Sequence, residues 1–317
     1  MLSRRLLRVK VMQTVYGHFR GGESTIQQTE KELFHSISKS HELYHLLLLL
    51  IIDVRDYAER RIENGLNKKR PAYEDLHPNK KFINNRVILQ LRENKQLLNY
   101  IDATGLSWNN NEQYIKDVYL LIIDSDLYKR YQESEEDNYE ADRKFIAKLF
   151  EKVIGQYLPL YALLEEQSIF WNDEAEFVVS IVVKTLKEFD EKNGEAQPLQ
   201  REFKDDEDRD FVKTLFRKAV VNNAEYQALI KKFSRNWELD RVAYLDIVLM
   251  QIAIAEVVEF PKIPVKVTLN EYIEIAKHYS TPKSGNFING ILDKIINHLQ
   301  TEEHLIKLGD NDKEDAN

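Results

Sequence analysis

Residues that break helices are scarce in this chain, and their scarcity constrains the fold more than any other feature. Only 10 glycines and 7 prolines occur among 317 residues. Both residue types interrupt helices and mark turns. β-branched residues rarely alternate with polar ones, whereas apolar residues recur at spacings of three and four. The chain is therefore predicted to be all-α, with long helices.

The composition limits the kinds of partner. Hydrophobic residues make up 43% of the chain, which excludes wholesale disorder. The formal net charge of −8 argues against a protein coated in nucleic acid, because phosphate binding needs positive surface. Any RNA site must therefore be local. Residues 1–20 allow one, since they contain no acid and carry Arg4, Arg5, Arg8, Lys10 and Arg20.

The sequence lacks the residues that several kinds of catalytic, metal-binding and membrane-spanning sites require. The chain has no cysteine, which removes disulfides, thiolate metal sites and cysteine nucleophiles. We find no phosphate-binding glycine loop and no nucleophile elbow. The longest apolar run, Leu46 to Ile52, is too short to cross a bilayer, and the N-terminus lacks the apolar core of an export signal. We expect a cytoplasmic protein with no membrane partner, no cofactor and no enzymatic activity.

The first basic segment reads as a helix from Met1 to Phe19. Arg4, Arg5 and Arg8 fall within one and a half turns and so share a flank, beside a stripe that contains Leu7. Guanidinium planes suit phosphate clamping and base stacking. A solvated helix end is the alternative interpretation of such a cluster.

A polar turn near the C-terminus offers a second candidate surface. An amphipathic helix over residues 263–277 is followed by the turn 280–286 and then by another helical segment, 287–296. Within this turn and its flank, Lys283 supplies charge, Ser284 and Asn286 supply hydrogen bonds, and Phe287 either stacks on a base or packs inward.

His41-Glu42-Leu43-Tyr44-His45 matches the H-E-x-x-H zinc motif. Both imidazoles would share a helix face with Glu42 as base, and Glu59 or Glu63 could supply a third ligand. Such short patterns also recur by chance in helices rich in Glu and His. The competing interpretation is a helix face with histidines beside a buried leucine block, and we favour it.

The connection from Gly65 to Lys81 is basic and contains two prolines. It carries Lys68, Lys69 and Arg70 at one end and Lys80 and Lys81 at the other. Contact with RNA is one interpretation, and a solvated connector is the favoured one.

An internal repeat organises the second half of the chain. A shift of 66 residues superimposes 142–186 on 208–252 without a gap. The matched residues include Asp142-Arg143 on Asp208-Arg209, Leu149-Phe150 on Leu215-Phe216, and Trp171 on Trp237. Each copy is predicted to contain three helices, with the tryptophans packed at equivalent joints.

A family resemblance rests on the C-terminal motifs. Pro264-Val-Lys-Val-Thr-Leu-Asn270-Glu271, Ile275-Ala276-Lys277, Ser284 and Phe287-Ile-Asn289-Gly290-Ile-Leu-Asp293-Lys294 closely resemble the signature of the NusB family of bacterial transcription antitermination factors. The segment from Arg4 to Tyr16 is similar to the family's arginine-rich opening helix.

The resemblance implies a fold, partners and sites. It implies a NusB-like helical bundle that binds the boxA element of ribosomal RNA leaders and joins a transcribing RNA polymerase. By this resemblance, the RNA-binding residues are Arg4, Arg5, Arg8, Lys10, Lys283, Ser284, Asn286 and Phe287. Tyr16 and Asp246 match positions that contact the ribosomal protein NusE in the family.

These observations give a domain organisation. Residues 1–20 form the first helix of the NusB-like domain, 21–206 form a helical insertion, 207–300 complete the domain, and 301–317 form an acidic disordered tail. A zinc hydrolase using His41 and His45, or a structural adaptor without RNA binding, remain as alternatives. The RNA hypothesis requires Arg4 to Arg8 to lie near the Lys283 turn and not to be buried in carboxylate pairs.

Overall fold

The structure is a computed structural model that describes residues 3–234 and 243–302. These residues form α-helices, short 3₁₀ turns and loops, and no strand occurs among them, so the all-α prediction is confirmed. None of their helices is long and apolar enough to cross a membrane.

Fifteen α-helices follow one another through these residues. Their bounds are α1 Arg4–Arg20, α2 Ile26–Leu66, α3 Tyr73–Leu76, α4 Arg86–Arg92, α5 Lys95–Thr104, α6 Glu112–Asp124, α7 Asp126–Glu133, α8 Tyr139–Lys152, α9 Leu158–Gln167, α10 Ala175–Lys187, α11 Asp206–Val221, α12 Asn223–Phe233, α13 Tyr244–Glu259, α14 Val265–Tyr279 and α15 Ser284–Thr301.

Local capping sets many of these bounds. The Ser3 side chain accepts a hydrogen bond from the backbone N–H of Leu6 and starts α1. This helix ends at Arg20, just before Gly21 and Gly22 and one residue beyond the predicted end at Phe19. The sequence reads as single helices over 84–101 and 112–131, but each of these runs is split. Asn94 caps α5 and Ser125 caps α7, so side-chain capping interrupts helices that their apolar pattern would continue.

The described residues divide into two compact units. We call residues 38–201 the middle unit, and residues 3–37 together with the described residues from 202 onward the terminal unit. In the terminal unit, α13 packs against α1, α11, α12, α14 and α15. This position explains its sequence, because a helix with neighbours on every side is mostly apolar. Residues 248–257 are all buried, and all except Gln251 and Glu256 are apolar.

The middle unit is built around α2 and the pair α8 and α10. The leucine block of α2 is buried, and two tryptophan indoles donate to carbonyls of this helix: Trp108 to Leu46 at 2.9 Å, and Trp171 to Lys39 at 2.8 Å. α8 packs against α4 and α10. Trp237, the repeat partner of Trp171, lies outside the described residues.

The 66-residue shift also relates the helices. It carries α8, α9 and α10 onto 205–218, 224–233 and 241–253, within three residues of the starts of α11, α12 and α13. The two copies differ on one face. Ser180, Lys184 and Lys187 are exposed on α10, whereas the matching Asp246, Met250 and Ala253 of α13 are buried.

The chain connectivity explains this difference. α14 and α15 follow α13 and pack against it, but α11 follows α10, so the middle unit has no second copy of this helical pair. Polar residues therefore occupy positions of α10 that the terminal unit buries.

Candidate nucleic-acid interface

The first helix buries more of its circumference than its sequence pattern predicts. Apolar residues on several sides of α1 are buried, namely Leu6, Leu7, Val9, Val11, Met12 and Val15. Arg8 and Lys10 fall inside this wide arc and are buried with them. Of the four cations in the first half of α1, Arg4 and Arg5 keep a substantial part of their side chains exposed, 40% and 53%.

Arg8 is held by a buried carboxylate. Its Nε and Nη2 donate to the two oxygens of Glu256 on α13, each at 2.7 Å. Thr268 donates to the same carboxylate at 2.8 Å and Tyr272 at 3.0 Å, both from α14. Burial opposes the charge on Arg8, but the hydrogen bonds and attraction of Glu256 outweigh it and raise the pKa of the guanidinium. Arg8 therefore stays charged and joins three helices.

The other two arginines of the cluster are paired as well. Arg4 donates from Nε to Asp208 of α11 at 2.8 Å, with its guanidinium 5.2 Å from the centre of the Phe211 ring. Arg5 makes two hydrogen bonds of 2.8 Å to Glu271 of α14, and these bonds lower the pKa of that carboxyl group. The sequence hypothesis required these arginines to be free of buried carboxylate pairs. Arg8 fails that requirement, whereas Arg4 and Arg5 meet it in part.

The C-terminal turn separates into buried and exposed residues. Ser284 and Phe287 are buried, whereas Lys283 and Asn286 are exposed. Ser284 donates to one oxygen of Asp246 at 2.7 Å, and Ser280 donates to the other at 2.6 Å. Asp246 is buried beneath the turn, so its side chain holds the turn onto the start of α13. Asp246 is therefore a buried structural carboxylate and does not itself present a surface to a partner.

The far end of α1 meets the start of α13. Tyr16 is 37% exposed, and its ring packs edge-on against Tyr244 with 5.5 Å between centroids. The guanidinium of Arg20 lies 4.6 Å from the centre of the Tyr244 ring. Sequence reasoning missed the contribution of Arg20 and Tyr244 because no local pattern links residues so far apart in the chain.

These contacts fix where the two candidate surfaces lie along the bundle. Asp246, which binds Ser284 of the turn, is only two residues from Tyr244, and Tyr244 contacts Tyr16. The turn therefore lies near the Tyr16 end of α1. Arg5 precedes Tyr16 by eleven residues, which is about 16 Å along a helix. The turn and the exposed arginines thus belong to one helical bundle, separated by about three helical turns.

The H-E-x-x-H segment has the geometry of packed side chains. His41 bonds through Nε2 to the carbonyl of Gln200 at 2.9 Å, and His45 bonds through Nδ1 to the carbonyl of His41 at 2.8 Å. The His45 ring stacks on Tyr100 at 3.8 Å. Burial and the nearby His41 lower the pKa of His45 to about 3. These imidazoles serve the packing of the middle unit.

The proposed third zinc ligands are out of reach. Glu59 and Glu63 lie on the same continuous helix, 14 and 18 residues after His45, which is about 21 and 27 Å along its axis. Glu59 is bonded to Arg55 instead. Within residues 3–234 and 243–302, no group of three potential ligands could hold a metal ion. The alternative of a zinc site completed by Glu59 or Glu63, which the sequence did not favour, is not favoured by the structure either.

The fold and this site define an all-α bundle whose opening helix is tied by arginine–carboxylate pairs to the C-terminal helices. The sequence model of the NusB family matches residues 175–297. No solved structure matches this chain.

Curated relatives extend the match. The transcription antitermination protein NusB of Salinibacter ruber is 38% identical over 137 residues, which cover 40% of this chain and 84% of the relative. That of Herpetosiphon aurantiacus is 31% identical over 134 residues, covering 40% and 92%. That of Chloroherpeton thalassium is 44% identical over 101 residues, covering 32% and 48%. The chain therefore belongs to the NusB family, which places it among transcription antitermination proteins and not among enzymes.

Proposed function

We propose that this chain binds boxA-type leader RNA of ribosomal RNA operons together with NusE, and acts in the cytoplasm on the transcribing RNA polymerase complex. Family membership supports this proposal, and one observation of the terminal unit carries it. Lys283 and Asn286 are exposed one helical turn apart at the start of α15. No described carboxylate forms an ion pair with Lys283.

The start of α15 suits an anionic ligand for two reasons. α15 is 18 residues long, and the unsatisfied N–H groups and dipole of a helix attract negative charge to its first turn. Lys283 adds a full charge at the same end. Asn286 supplies hydrogen-bonding groups that could read a base edge or a ribose.

Arg4 and Arg5 contribute by exchanging partners. Half-exposed ion pairs are worth only about 0–1 kcal/mol, so releasing Arg5 from Glu271 costs little. A phosphate can then take the place of the carboxylate with the same bidentate geometry. These two side chains would extend the RNA path from the α15 turn along the bundle.

Four residues matched by family resemblance act indirectly in this proposal. Arg8 and Lys10 are buried in α1, and Ser284 and Phe287 are buried at the start of α15. They cannot reach a ligand in this conformation. We propose that they hold the backbone of α1 and of the turn, so that their exposed neighbours are correctly spaced.

In this proposal, NusE binds to an exposed cluster of aromatic and cationic side chains at the end of α1. Tyr16, Tyr244 and Arg20 form a surface at the end of α1 with both apolar and cationic character. Tyrosine and arginine are enriched in protein interfaces because they combine contact area with hydrogen bonding. Asp246 would support this surface from below through the turn that it holds.

Titration of fluorescent leader RNA with the full chain tests the proposal, with and without NusE and at two salt concentrations. The double variant Arg5→Ala with Lys283→Ala should bind leader RNA about tenfold more weakly. Loss of two phosphate contacts should also reduce the salt slope by about 1.4.

A charge-matched control is available in the same unit. Lys231 and Lys294 are exposed on α12 and α15 and are not among the residues proposed to contact RNA, so their double alanine variant should bind leader RNA like the wild type. Equal affinity of both double variants would contradict the proposed site. Absence of any RNA binding by the wild type would favour the structural adaptor.

A further inference from the structure

A cluster of positive charge that internal carboxylates neutralise only in part lies in the middle unit. The loop 67–81 carries five cations, Lys68, Lys69, Arg70, Lys80 and Lys81, and two acids, Glu74 and Asp75. Lys69, Arg70 and Lys80 are exposed, and none forms an ion pair with a residue in the described part of the chain. This distinguishes them from Arg4, Arg5 and Arg8, each of which faces a carboxylate.

The difference matters for binding to a polyanion. A cation that already faces a carboxylate must give up that partner before it can neutralise a phosphate. A cation without a carboxylate partner can neutralise a phosphate directly, and the counterions condensed on the nucleic acid are then released with their full entropic benefit. Lys69, Arg70 and Lys80 are in this second state.

The loop is braced from within. Asp75 accepts hydrogen bonds from the backbone N–H of Ala72 at 2.9 Å and from Nζ of Lys68 at 2.8 Å. At the other end, Asn79 donates to the carbonyl of Gln132 at 3.1 Å, and Lys81 donates to that of Ser134 at 2.7 Å. The loop therefore has its own internal anchors, and its remaining cations are free for other contacts.

An exposed aromatic side chain, Tyr73, lies between Arg70 and Lys80 along the loop. Tyr73 is 74% exposed, and its ring lies 4.5 Å from the ring of His77. Exposed aromatic rings beside unpaired cations are the two elements of single-strand nucleic-acid binding, since bases stack on rings while cations follow the backbone. Tyr73 is three residues from Arg70, so the ring and the guanidinium lie within reach of adjacent nucleotides.

We infer that the loop 67–81 is a second RNA-contacting surface, which binds single-stranded RNA through phosphates at Lys69, Arg70 and Lys80 and through a base stacked on Tyr73. Binding to this surface should not depend on base sequence, because every nucleotide has a phosphate and a base ring that can stack. The inference rests on the proposed function only in taking RNA as the polyanion.

The test compares six full-length proteins on two RNAs, of which two are the variants Tyr73→Ala and Tyr73→Phe. The RNAs are leader RNA containing boxA and a uridine homopolymer of equal length. The other four proteins are the wild type, the triple variant Lys69→Ala, Arg70→Ala, Lys80→Ala, the double variant Arg5→Ala, Lys283→Ala, and a control triple variant. The control changes Lys144, Lys148 and Lys187 to alanine, which removes the same charge from exposed positions of α8 and α10.

The loop triple variant should bind both RNAs about tenfold more weakly, with a salt slope smaller by about 2 for three lost contacts. Tyr73→Ala should weaken binding about fivefold or more, and Tyr73→Phe should bind like the wild type, because stacking needs the ring and not the hydroxyl. The control triple variant should retain wild-type affinity.

The outcomes separate the two ideas. If the loop variant binds both RNAs like the control while the double variant loses leader binding, the loop inference is overturned and the proposed function stands. If the loop variant alone loses binding, the loop inference stands and the proposed site on the terminal unit is wrong. A wild type that binds neither RNA overturns both.

Discussion

The guanidinium of Arg8 and the carboxylate of Glu256 face each other through two hydrogen bonds of 2.7 Å, and both groups are buried. The two residues are 248 positions apart. Thr268 and Tyr272 complete the coordination of the carboxylate. An arginine that the sequence assigns to RNA is thus the joint between the first helix and the C-terminal helices, and it acts on function by fixing α1.

Breaking this pair should destabilise the terminal unit. Arg8→Met leaves Glu256 buried without a counter-charge, which costs about 3–5 kcal/mol. Hydrogen exchange of amides in α1 and α13 measures the effect within this unit. Arg5→Met is the matched control, because its half-exposed pair should cost less than about 1 kcal/mol.

Removing the charges of both Arg8 and Glu256 should recover much of the stability that Arg8→Met loses. Arg8→Met combined with Glu256→Leu leaves no uncompensated charge, so the double variant should be more protected than Arg8→Met alone. Equal protection of the Arg8→Met and Arg5→Met variants would show that the buried pair contributes nothing.

The repeated aspartates should differ in their importance. Asp142 accepts from the Tyr131 hydroxyl at 2.6 Å and from the backbone N–H and Nη1 of Arg86 at 3.0 Å, whereas Asp208 accepts from the Arg4 side chain. Asp142→Ala leaves more buried donors unsatisfied, so it should cost about 3 kcal/mol, against about 1–2 for Asp208→Ala. Urea midpoints of the two variants test this order, and a reversed order would refute it.

His45 should make the protein sensitive to acid. Its folded pKa of about 3 is below the ordinary histidine value, so the unfolded chain takes up this proton first as pH falls. The contribution of His45 to stability is therefore complete above about pH 6.5 and is lost between there and about pH 3.

The variant His45→Phe isolates the pH-dependent contribution of His45 to stability. Phenylalanine can keep the stacking on Tyr100 but does not titrate, and it loses one hydrogen bond worth about 1 kcal/mol at every pH. Unfolding free energies from pH 7 to pH 4 should fall less steeply for the variant than for the wild type. Parallel curves would indicate that His45 titrates normally.

Tyr16 should affect NusE and not RNA. Tyr16→Ala removes a half-exposed ring from the cluster with Tyr244, so affinity for NusE should fall by about tenfold or more while leader RNA affinity stays unchanged. Tyr16→Phe should retain most of the NusE affinity. Tyr73→Ala in the middle unit serves as the control for loss of an exposed tyrosine. Calorimetric titration against NusE measures all three.

Much of the architecture was accessible from the sequence because it is local. Apolar spacing gives the helices, Gly21 and Gly22 end the first of them, and the C-terminal motifs indicate the family that the comparisons then identify. Side-chain capping at Asn94 and Ser125 was harder to predict, because the same residues are tolerated inside helices when their side chains point to solvent.

The sequence by itself determined which segments are helical, where positive charge is concentrated and to which family the chain belongs. Only the tertiary structure decided which cations are available. Arg4, Arg5 and Arg8 look alike along the chain, but their carboxylate partners lie 204, 266 and 248 residues away. Helical periodicity describes one helix surface at a time, whereas burial and ion pairing depend on which other helix meets that surface.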